Sequence, residues 1–274
     1  MDTEGASISV SLGAPLPEST TVAVLLTTGI RDRKREGRQN DMSEPYRWIF
    51  STGDSLWPGA LQGKVTRVGA ESEGIVLVGL YPGEGDTVPD PAVLAPAAIT
   101  QARRDGTYLL DGLPVDGRPW RLVTMFDRDG NREIRGAGEF VSARTDTLRL
   151  VPPQVTRTLD VELVDPAAPG EVQGTLQRAP GDSVDVWLEF LADTPETSLT
   201  PSARARVGAG GTFSVRRVAP GSYRVRAFCD TNLDGTRGEG EAPRDLLHVV
   251  VPPGETVDVG AREFAPCPPG EAKP

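Results

Sequence analysis

The chain has 274 residues, 31 of them glycine and 25 proline, and it carries a formal net charge of −10. So many chain breakers favour short strands joined by turns over long helices. The negative charge argues against nucleic acid as a partner, because a phosphate backbone would be repelled. No apolar run approaches the ~20 residues that a transmembrane segment needs.

The chain begins with MDTEGASISVSLGAP, which lacks both the basic start and the apolar stretch of a signal peptide. Residues 31–38, RDRKREGR, mix basic side chains with Asp32 and Glu36. Mixed charges of this kind are typical of a solvated loop rather than of a phosphate-binding patch.

Residues 20–53 read TTVAVLLTTGIRDRKREGRQNDMSEPYRWIFSTG, and Tyr46, Trp48 and Phe50 alternate ahead of a Ser-Thr-Gly turn. This segment resembles the closing half of the bacterial Ig-like domain of S-layer and lipoprotein-type envelope proteins. The resemblance implies that residues 1–56 are the truncated C-terminal half of such a domain, with its first strands and its export signal upstream. A half sandwich would leave an apolar face and sheet edges uncovered.

The remainder of the chain contains a duplicated pattern. Residues 105–139, DGTYLLDGLPVDGRPWRLVTMFDRDGNREIRGAGE, match residues 210–241, GGTFSVRRVAPGSYRVRAFCDTNLDGTRGEGE, in a Gly-Thr-aromatic turn, a strand and an acidic loop. We therefore expect two β-sandwich repeats, 57–166 and 167–266, followed by a disordered tail, 267–274.

Apolar and polar side chains alternate within the predicted strands. In SYRVRAFC, Val225, Ala227 and Cys229 share one face, and Arg224 and Arg226 lie on the other. Such alternation is typical of antiparallel sheets with one buried and one solvated face, packed as a sandwich. The predicted fold class is all-β, with tandem Ig-like or prealbumin-like antiparallel β-sandwiches.

From Ala60 onward the chain resembles the carboxypeptidase regulatory-like (prealbumin-like) domains of bacterial envelope proteins. The resemblance is carried by the strand LQGKV, by the turns DGTYLLDGLP and GGTFSVRRVAPGSYRVRAF, and by the acidic loops. The loop DTNLDGTRGEGE is also similar to the calcium loops in B-type repeats of Gram-positive surface adhesins. These resemblances imply envelope β-sandwiches with a structural or adhesive role.

The acidic loop of the second repeat predicts either a calcium site or a solvated turn. Its oxygen-bearing residues fall at alternate positions and close with an acid: Asp230, Asn232, Asp234, Thr236 (through its carbonyl) and Glu241. Calcium takes about six to eight oxygen ligands, and Gly235 stands where such a loop turns sharply. The alternative is a β-hairpin loop, since Asp, Asn and Gly all form turns readily.

The equivalent loop of the first repeat follows the calcium pattern less closely. Its candidate ligands keep the alternate spacing but close one residue late: Asp127, Asp129, Asn131 and Glu139. Arg132 takes the place of the glycine, and Arg128 and Arg135 add further positive charge. Ca²⁺ is the one cofactor that the sequence predicts.

The two cysteines, Cys229 and Cys267, are compatible with one disulfide. Such a bridge would tie the tail to the loop-bearing strand and stabilise the domain by about 3 kcal/mol. The alternative is a buried Cys229 and a free Cys267, and export from the cytosol would favour the bridge. Neither cysteine lies in a CxxC pair or beside a histidine, so thiol catalysis and zinc are poor fits.

The sequence offers no catalytic constellation. The single histidine, His248, lies in the strand LLHVVV, where a structural role is expected. A serine triad, a zinc site and a nucleotide-binding fingerprint are all missing from the sequence. We therefore expect a protein that is not an enzyme.

The leading hypothesis is a structural or adhesive module of the cell envelope or of a secreted protein, with an unidentified envelope protein or glycan as its partner. The resemblances imply a periplasmic or outer-membrane lipoprotein. One alternative is a carbohydrate- or peptide-binding accessory module, for which Trp57 and Trp187 are candidate platforms. Another is an accessory domain cut from a larger enzyme or transporter.

Overall fold

The computed structural model describes residues 11–31, 40–69, 73–84, 89–91, 93–131, 134, 136–143, 146–179, 184–193 and 200–268. These residues form seventeen β-strands and no helix. In chain order the strands are β1 (Thr21–Leu26), β2 (Tyr46–Ser51), β3 (Gly59–Val68), β4 (Ile75–Pro82), β5 (Ala98–Gln101), β6 (Thr107–Leu113), β7 (Trp120–Asp127), β8 (Phe140–Ala143), β9 (Thr156–Thr158), β10 (Val161–Val164), β11 (Gly170–Gln177), β12 (Asp185–Ala192), β13 (Ala203–Arg206), β14 (Thr212–Val218), β15 (Gly221–Asp230), β16 (Arg244–Val251) and β17 (Thr256–Glu263).

The all-β fold class is confirmed, and the sheets are mainly antiparallel. Within the described part of the chain, no helix is long and apolar enough to span a membrane. Three predicted segments lie wholly or largely outside the described residues: 1–10, most of the basic loop 31–38, and the end of the tail, 269–274.

The described residues divide into two compact units. The first contains the residues up to Thr66 together with Glu73–Leu163, and the second contains Arg67–Ser72 together with the residues from Val164 onward. The last change from the first unit to the second falls between Leu163 and Val164.

The second unit is a sandwich of two sheets, with strand orders β13-β12-β15-β16 and β14-β11-β17. Apolar side chains from both sheets form one core, which includes Phe190 and Val225 from the first sheet and Val172 and Val215 from the second. Burial of this apolar surface is the main contribution that favours the folded state. As expected from the alternation in β15, Val225 and Ala227 point into this core.

The first unit repeats this plan, with sheets β5-β4-β7-β8 and β10-β3-β6, and with β9 also paired to β3. In each unit one strand pairs antiparallel with one neighbour and parallel with another: β3 with β6 and β9, and β11 with β14 and β17. Asp127, the last residue of β7, pairs with Ile75, and Asp230, the last residue of β15, pairs with Asp185. The duplication is therefore visible in strand order and register, and it puts the two acidic loops at equivalent places.

One sheet of the first unit departs from the expected alternation. Every residue of β7 is buried, and β4 is buried along most of its length. Leu77, Val123 and Met125 form a buried cluster, against which Ile99 and Ile134 pack. Because Ile134 comes from the acidic loop, the loop contributes to a second apolar layer over this sheet.

Strands β1 and β2 form an antiparallel hairpin that lies in the first unit rather than in a unit of its own. The side chain of Gln101 donates a hydrogen bond to Thr28 Oγ1 at 2.7 Å. On the same side, Arg47 Nη2 donates to the carbonyl oxygen of Asp111 at 3.0 Å. One face of the hairpin is therefore covered, whereas Trp48 on the opposite face remains 52% exposed.

Candidate metal loops, disulfide and comparisons with known proteins

Both acidic loops begin with a buried aspartate at the end of a long strand. Asp127 Oδ1 accepts a hydrogen bond from the backbone N–H of Gly130 at 2.8 Å. In the second unit, Asp230 accepts hydrogen bonds from the N–H groups of Asp234 at 3.2 Å and Gly235 at 2.9 Å. Each aspartate thus holds the first turn of its loop, as Asp side chains commonly do by binding backbone donors a few residues ahead.

The closing acid of the second loop holds the two ends of the loop together. Glu241 accepts hydrogen bonds from the N–H of Thr231 at 2.7 Å and from the N–H of Gly238 at 2.8 Å. Burial by itself would raise the pKa of Glu241, but the hydrogen bonds from Gly238 and Thr231 outweigh it and lower the pKa below its usual value. Glu241 is therefore ionised at neutral pH.

The closing acid of the first loop makes the same two contacts. Glu139 accepts hydrogen bonds from the N–H of Arg128 at 3.2 Å and from the N–H of Gly136 at 2.5 Å. The extra residue of this loop falls between these two donors. Its presence does not displace Glu139, because the position of the acid is set by the two backbone donors and not by the count of residues from Asp127.

The middle of the second loop is a network of short polar contacts. Asp234 Oδ1 accepts hydrogen bonds from the N–H and the hydroxyl of Thr236, at 2.7 and 2.8 Å, and Asn232 Nδ2 donates to Asp234 Oδ2 at 2.9 Å. The hydrogen bonds from Thr236 are the main reason that the pKa of Asp234 is lowered. The five predicted ligands are thus either linked to one another or committed to the loop backbone.

The first loop brings carboxylates closer together than the second. Among the described residues, Asp127, Asp129 and Glu139 are the group of three acids whose oxygens all lie within 4.8 Å of one another. Asn131 Nδ2 donates to Asp129 Oδ2 at 2.9 Å, which puts a further oxygen-bearing side chain beside the group. The loop whose sequence fits the calcium pattern less well therefore has the more compact set of acids. Arg132 and Arg135, which sequence analysis placed in this loop, lie outside the described residues.

The second loop folds back over its sheet instead of projecting from it. The indole N–H of Trp187 donates to Asp230 Oδ2 at 3.2 Å, and the Trp187 ring lies against Gly235. Gly235 has a φ of +73°, a conformation that glycine adopts without steric cost. Trp187, a candidate platform in the sequence, lies on the face of its sheet opposite the core, where it supports the loop.

A buried charged cluster that the sequence did not indicate lies beside this loop. Glu189, almost fully buried, pairs with Arg226 at 2.8 Å and with Arg204 at 2.7 Å. Arg237, which comes from the acidic loop, approaches the same carboxylate at 3.9 Å. Alternation assigned Arg226 to a solvated face, and its burial depends on partners from other segments that no local pattern reveals.

The two cysteine sulfurs are 2.09 Å apart, and the bond joins Cys229 in β15 to Cys267 beyond β17. Cys229 is buried in the sandwich core, and Cys267 packs against the same core. The bridge therefore fixes the start of the tail next to the strand that carries the acidic loop.

Two further residues that the sequence singled out are His248 and Trp57. His248 is exposed on β16. Trp57 is half-buried, and its backbone N–H donates to Thr21 Oγ1 at 2.7 Å. Neither Trp57 nor Trp187 presents a fully exposed ring, so neither is an open platform for a ligand.

No family model matches this chain, and no curated protein matches it. The solved structures that this chain resembles include a candidate cell adhesion protein of Bacteroides ovatus, at 10% identity and a TM-score of 0.31, covering 76% of this chain and 95% of that one. The minor pilin of Streptococcus agalactiae is 12% identical with a TM-score of 0.23, covering 78% of this chain and 100% of that one. The shaft pilin of Lactobacillus rhamnosus GG is 11% identical with a TM-score of 0.23, covering 80% and 100%. At these TM-scores the likenesses assign neither a family nor a function.

Proposed function

We propose that this chain is a non-catalytic structural or adhesive module of a cell envelope or of an exported protein. The main support is that one sandwich plan is built twice, while the acids at the loop ends are engaged in holding their own loops. An active site would instead direct such groups towards a cleft where a substrate could reach them.

The disulfide supports a location outside the cytosol. Structural disulfides persist in oxidising compartments and are rare where thiols are kept reduced. The bond between Cys229 and Cys267 closes a long segment, with a sequence separation of 38. A cell-surface or periplasmic location is the simplest setting for such a bond, and the resemblances to S-layer, lipoprotein and carboxypeptidase regulatory-like domains agree with it.

Surface location is tested by treating intact cells of the source organism with trypsin and identifying the released peptides by mass spectrometry. We expect peptides of this chain in the supernatant, and we expect Cys229 and Cys267 to be recovered as a linked pair. Recovery of the intact chain only from the cytosolic fraction, with both thiols free to alkylation, would contradict the proposal.

We also propose that the acidic loops bind Ca²⁺. The support is the approach of Asp127, Asp129 and Glu139 oxygens to within 4.8 Å of one another, because calcium prefers carboxylate and carbonyl oxygens in flexible arrangements. In the second loop, Asp230 and Asp234 would contribute. Their existing hydrogen bonds leave room for a metal, since an ionised carboxylate offers about four lone-pair sites.

Calcium binding is tested by thermal and chemical unfolding in calcium and in chelator. Calcium at about 100 times its Kd should stabilise the bound unit by about 2.7 kcal/mol. Asp129→Asn should remove the part of the effect that belongs to the first loop, and Asp234→Asn the part that belongs to the second. Asp54→Asn, at an exposed site elsewhere, is the control and should change nothing. Identical unfolding curves in calcium and in chelator would remove the metal from this proposal.

A further inference from the structure

A cleft of about 680 Å³ with a mixed polar and apolar lining lies in the first unit, beside the N-terminal hairpin. This volume is within the range of about 300–1,000 Å³ typical of ligand sites. The hairpin contributes Leu25, Pro45 and Arg47 to its lining, and the sandwich contributes residues from β3, β5, β6 and β9. The cleft depends on the hairpin, because it forms where the covered face of the hairpin meets the sheet edge.

The charges that line this cleft are balanced. Arg47 and Arg103 are positive, whereas Asp105 and Asp111 are negative. Arg47 forms an ion pair with Asp111, and the side chains are 10% and 38% exposed, so the carboxylate is the more accessible partner. In a chain with a net charge of −10, a locally neutral cleft favours neither an anion nor a cation.

The neutral polar residues of the lining are amides and hydroxyls: Gln62, Thr100, Gln101, Thr107 and Thr158. Thr100 and Gln101 are buried, and both ends of the Gln101 amide are bonded to Thr28, so the exposed amide of Gln62 is the one that faces a ligand. Guanidinium groups donate and carboxylates accept, while side-chain amides and hydroxyls do both.

We propose that this cleft binds a neutral oligosaccharide. Each sugar hydroxyl both donates and accepts hydrogen bonds, which matches a lining that holds donors such as Arg103 and acceptors such as Asp105 at zero net charge. An anionic sugar would meet Asp105 and Asp111, and a cationic ligand would meet Arg47 and Arg103. The inference rests on the proposed adhesive role and gives that role a ligand class and a site.

Binding is measured by calorimetry with the full chain and three neutral probes: cellotriose, mannotriose and tri-N-acetylchitotriose. Trigalacturonic acid serves as the anionic probe. We expect at least one neutral trisaccharide to bind at millimolar concentration or better. Amide chemical shifts should then change for residues of β3, β6 and the turn around Arg103, which are the elements that line the cleft.

Two neighbouring arginines provide the matched variants. Arg103 lines the cleft and Arg104 does not, although both are exposed. Loss of a charged donor should make Arg103→Ala at least about tenfold weaker in sugar binding, while Arg104→Ala should bind as the unchanged chain does. Gln62→Ala, on an exposed position of β3, is a second variant that should weaken binding without altering the melting temperature.

Three outcomes would overturn the saccharide site: no neutral probe binds, only trigalacturonic acid binds, or Arg103→Ala and Arg104→Ala behave alike. These outcomes do not test whether the chain is displayed at the cell surface, because the trypsin experiment tests that separately. Conversely, a cytosolic location would contradict the adhesive role even if the cleft bound sugar in solution.

Discussion

At the scale of single residues, the acids at the ends of the two loops accept equivalent backbone hydrogen bonds in both units. Glu139 and Glu241 each accept hydrogen bonds from the residue after the first aspartate and from a glycine three positions earlier. A carboxylate that accepts several backbone hydrogen bonds is stabilised in its charged form. The spacing of the loop residues predicted both acids, but it gave no indication of their backbone partners, which come from the fold of each loop.

The lowered pKa of Glu241 predicts how stability depends on pH. A carboxyl group whose pKa is lower in the folded state than its ordinary value of 4.5 contributes stability above that value, and the contribution is lost as pH falls through the folded pKa. Glu241→Gln should therefore cost about 2 kcal/mol of unfolding free energy at pH 7, and the difference from the unchanged chain should shrink towards pH 3.

Urea denaturation at several pH values measures this difference. Glu239→Gln is the matched control, because Glu239 lies two positions away, is exposed and makes no contact that closes the loop. If Glu241→Gln and Glu239→Gln showed the same pH profile, Glu241 would not be the acid that holds the loop.

At the scale of elements, the strand β15 carries three features at once. Its inward residues fill the core, its last residue Asp230 starts the acidic loop, and Cys229 bonds to the tail at Cys267. The alternation of β15 was predictable because it is a local property of the chain. The burial of its Arg226 was not, because it requires Glu189 from β12.

The disulfide should contribute substantially to the stability of the second unit. Cys229 and Cys267 are separated by 38 positions. Closing a loop of that length lowers the entropy of the unfolded chain, which stabilises the folded state by about 3–4 kcal/mol. Replacing both cysteines by alanine should lower the unfolding free energy by about this amount. A reductant should have a similar effect on the unchanged chain and none on the double variant, as measured by urea denaturation.

At the scale of the whole molecule, the chain consists of two units with one plan and different reinforcement. Both cysteines, and so the only disulfide that the sequence allows, lie in the second unit. The first unit instead has the hairpin β1–β2 and a second apolar layer around Leu77 and Met125. The two sandwiches therefore share a strand plan but carry different additional stabilising features.

This difference predicts a selective response to reduction. Hydrogen exchange followed by mass spectrometry should show faster exchange in β15 and β17 after reduction, because the bridge next to them is lost. Exchange in β4 and β7 of the first unit should not change. Equal acceleration in both units would show that their stabilities are not separable.

The acidic loops show which properties of a site follow from residue spacing and which follow only from the folded structure. Residue spacing identified the ligand candidates of both loops and favoured the second, whereas the structure brings three acids within 4.8 Å in the first. Spacing did not reveal this compact group, because Glu139 is held by backbone donors and its position tolerates an extra residue. The cleft has no signal in the sequence at all, because its lining comes from the hairpin and four separate strands.

The sequence by itself determined the all-β class, the duplication, the alternation in β15 and the loop ends, because side-chain period, turn residues and internal similarity are all local properties of the chain. Only the tertiary structure decided that the N-terminal hairpin joins the first unit, that β7 is buried on both faces, and that arginines and acids meet in a neutral cleft. Those features depend on which distant segments cover one another, and covering is set by packing, which a one-dimensional pattern does not encode.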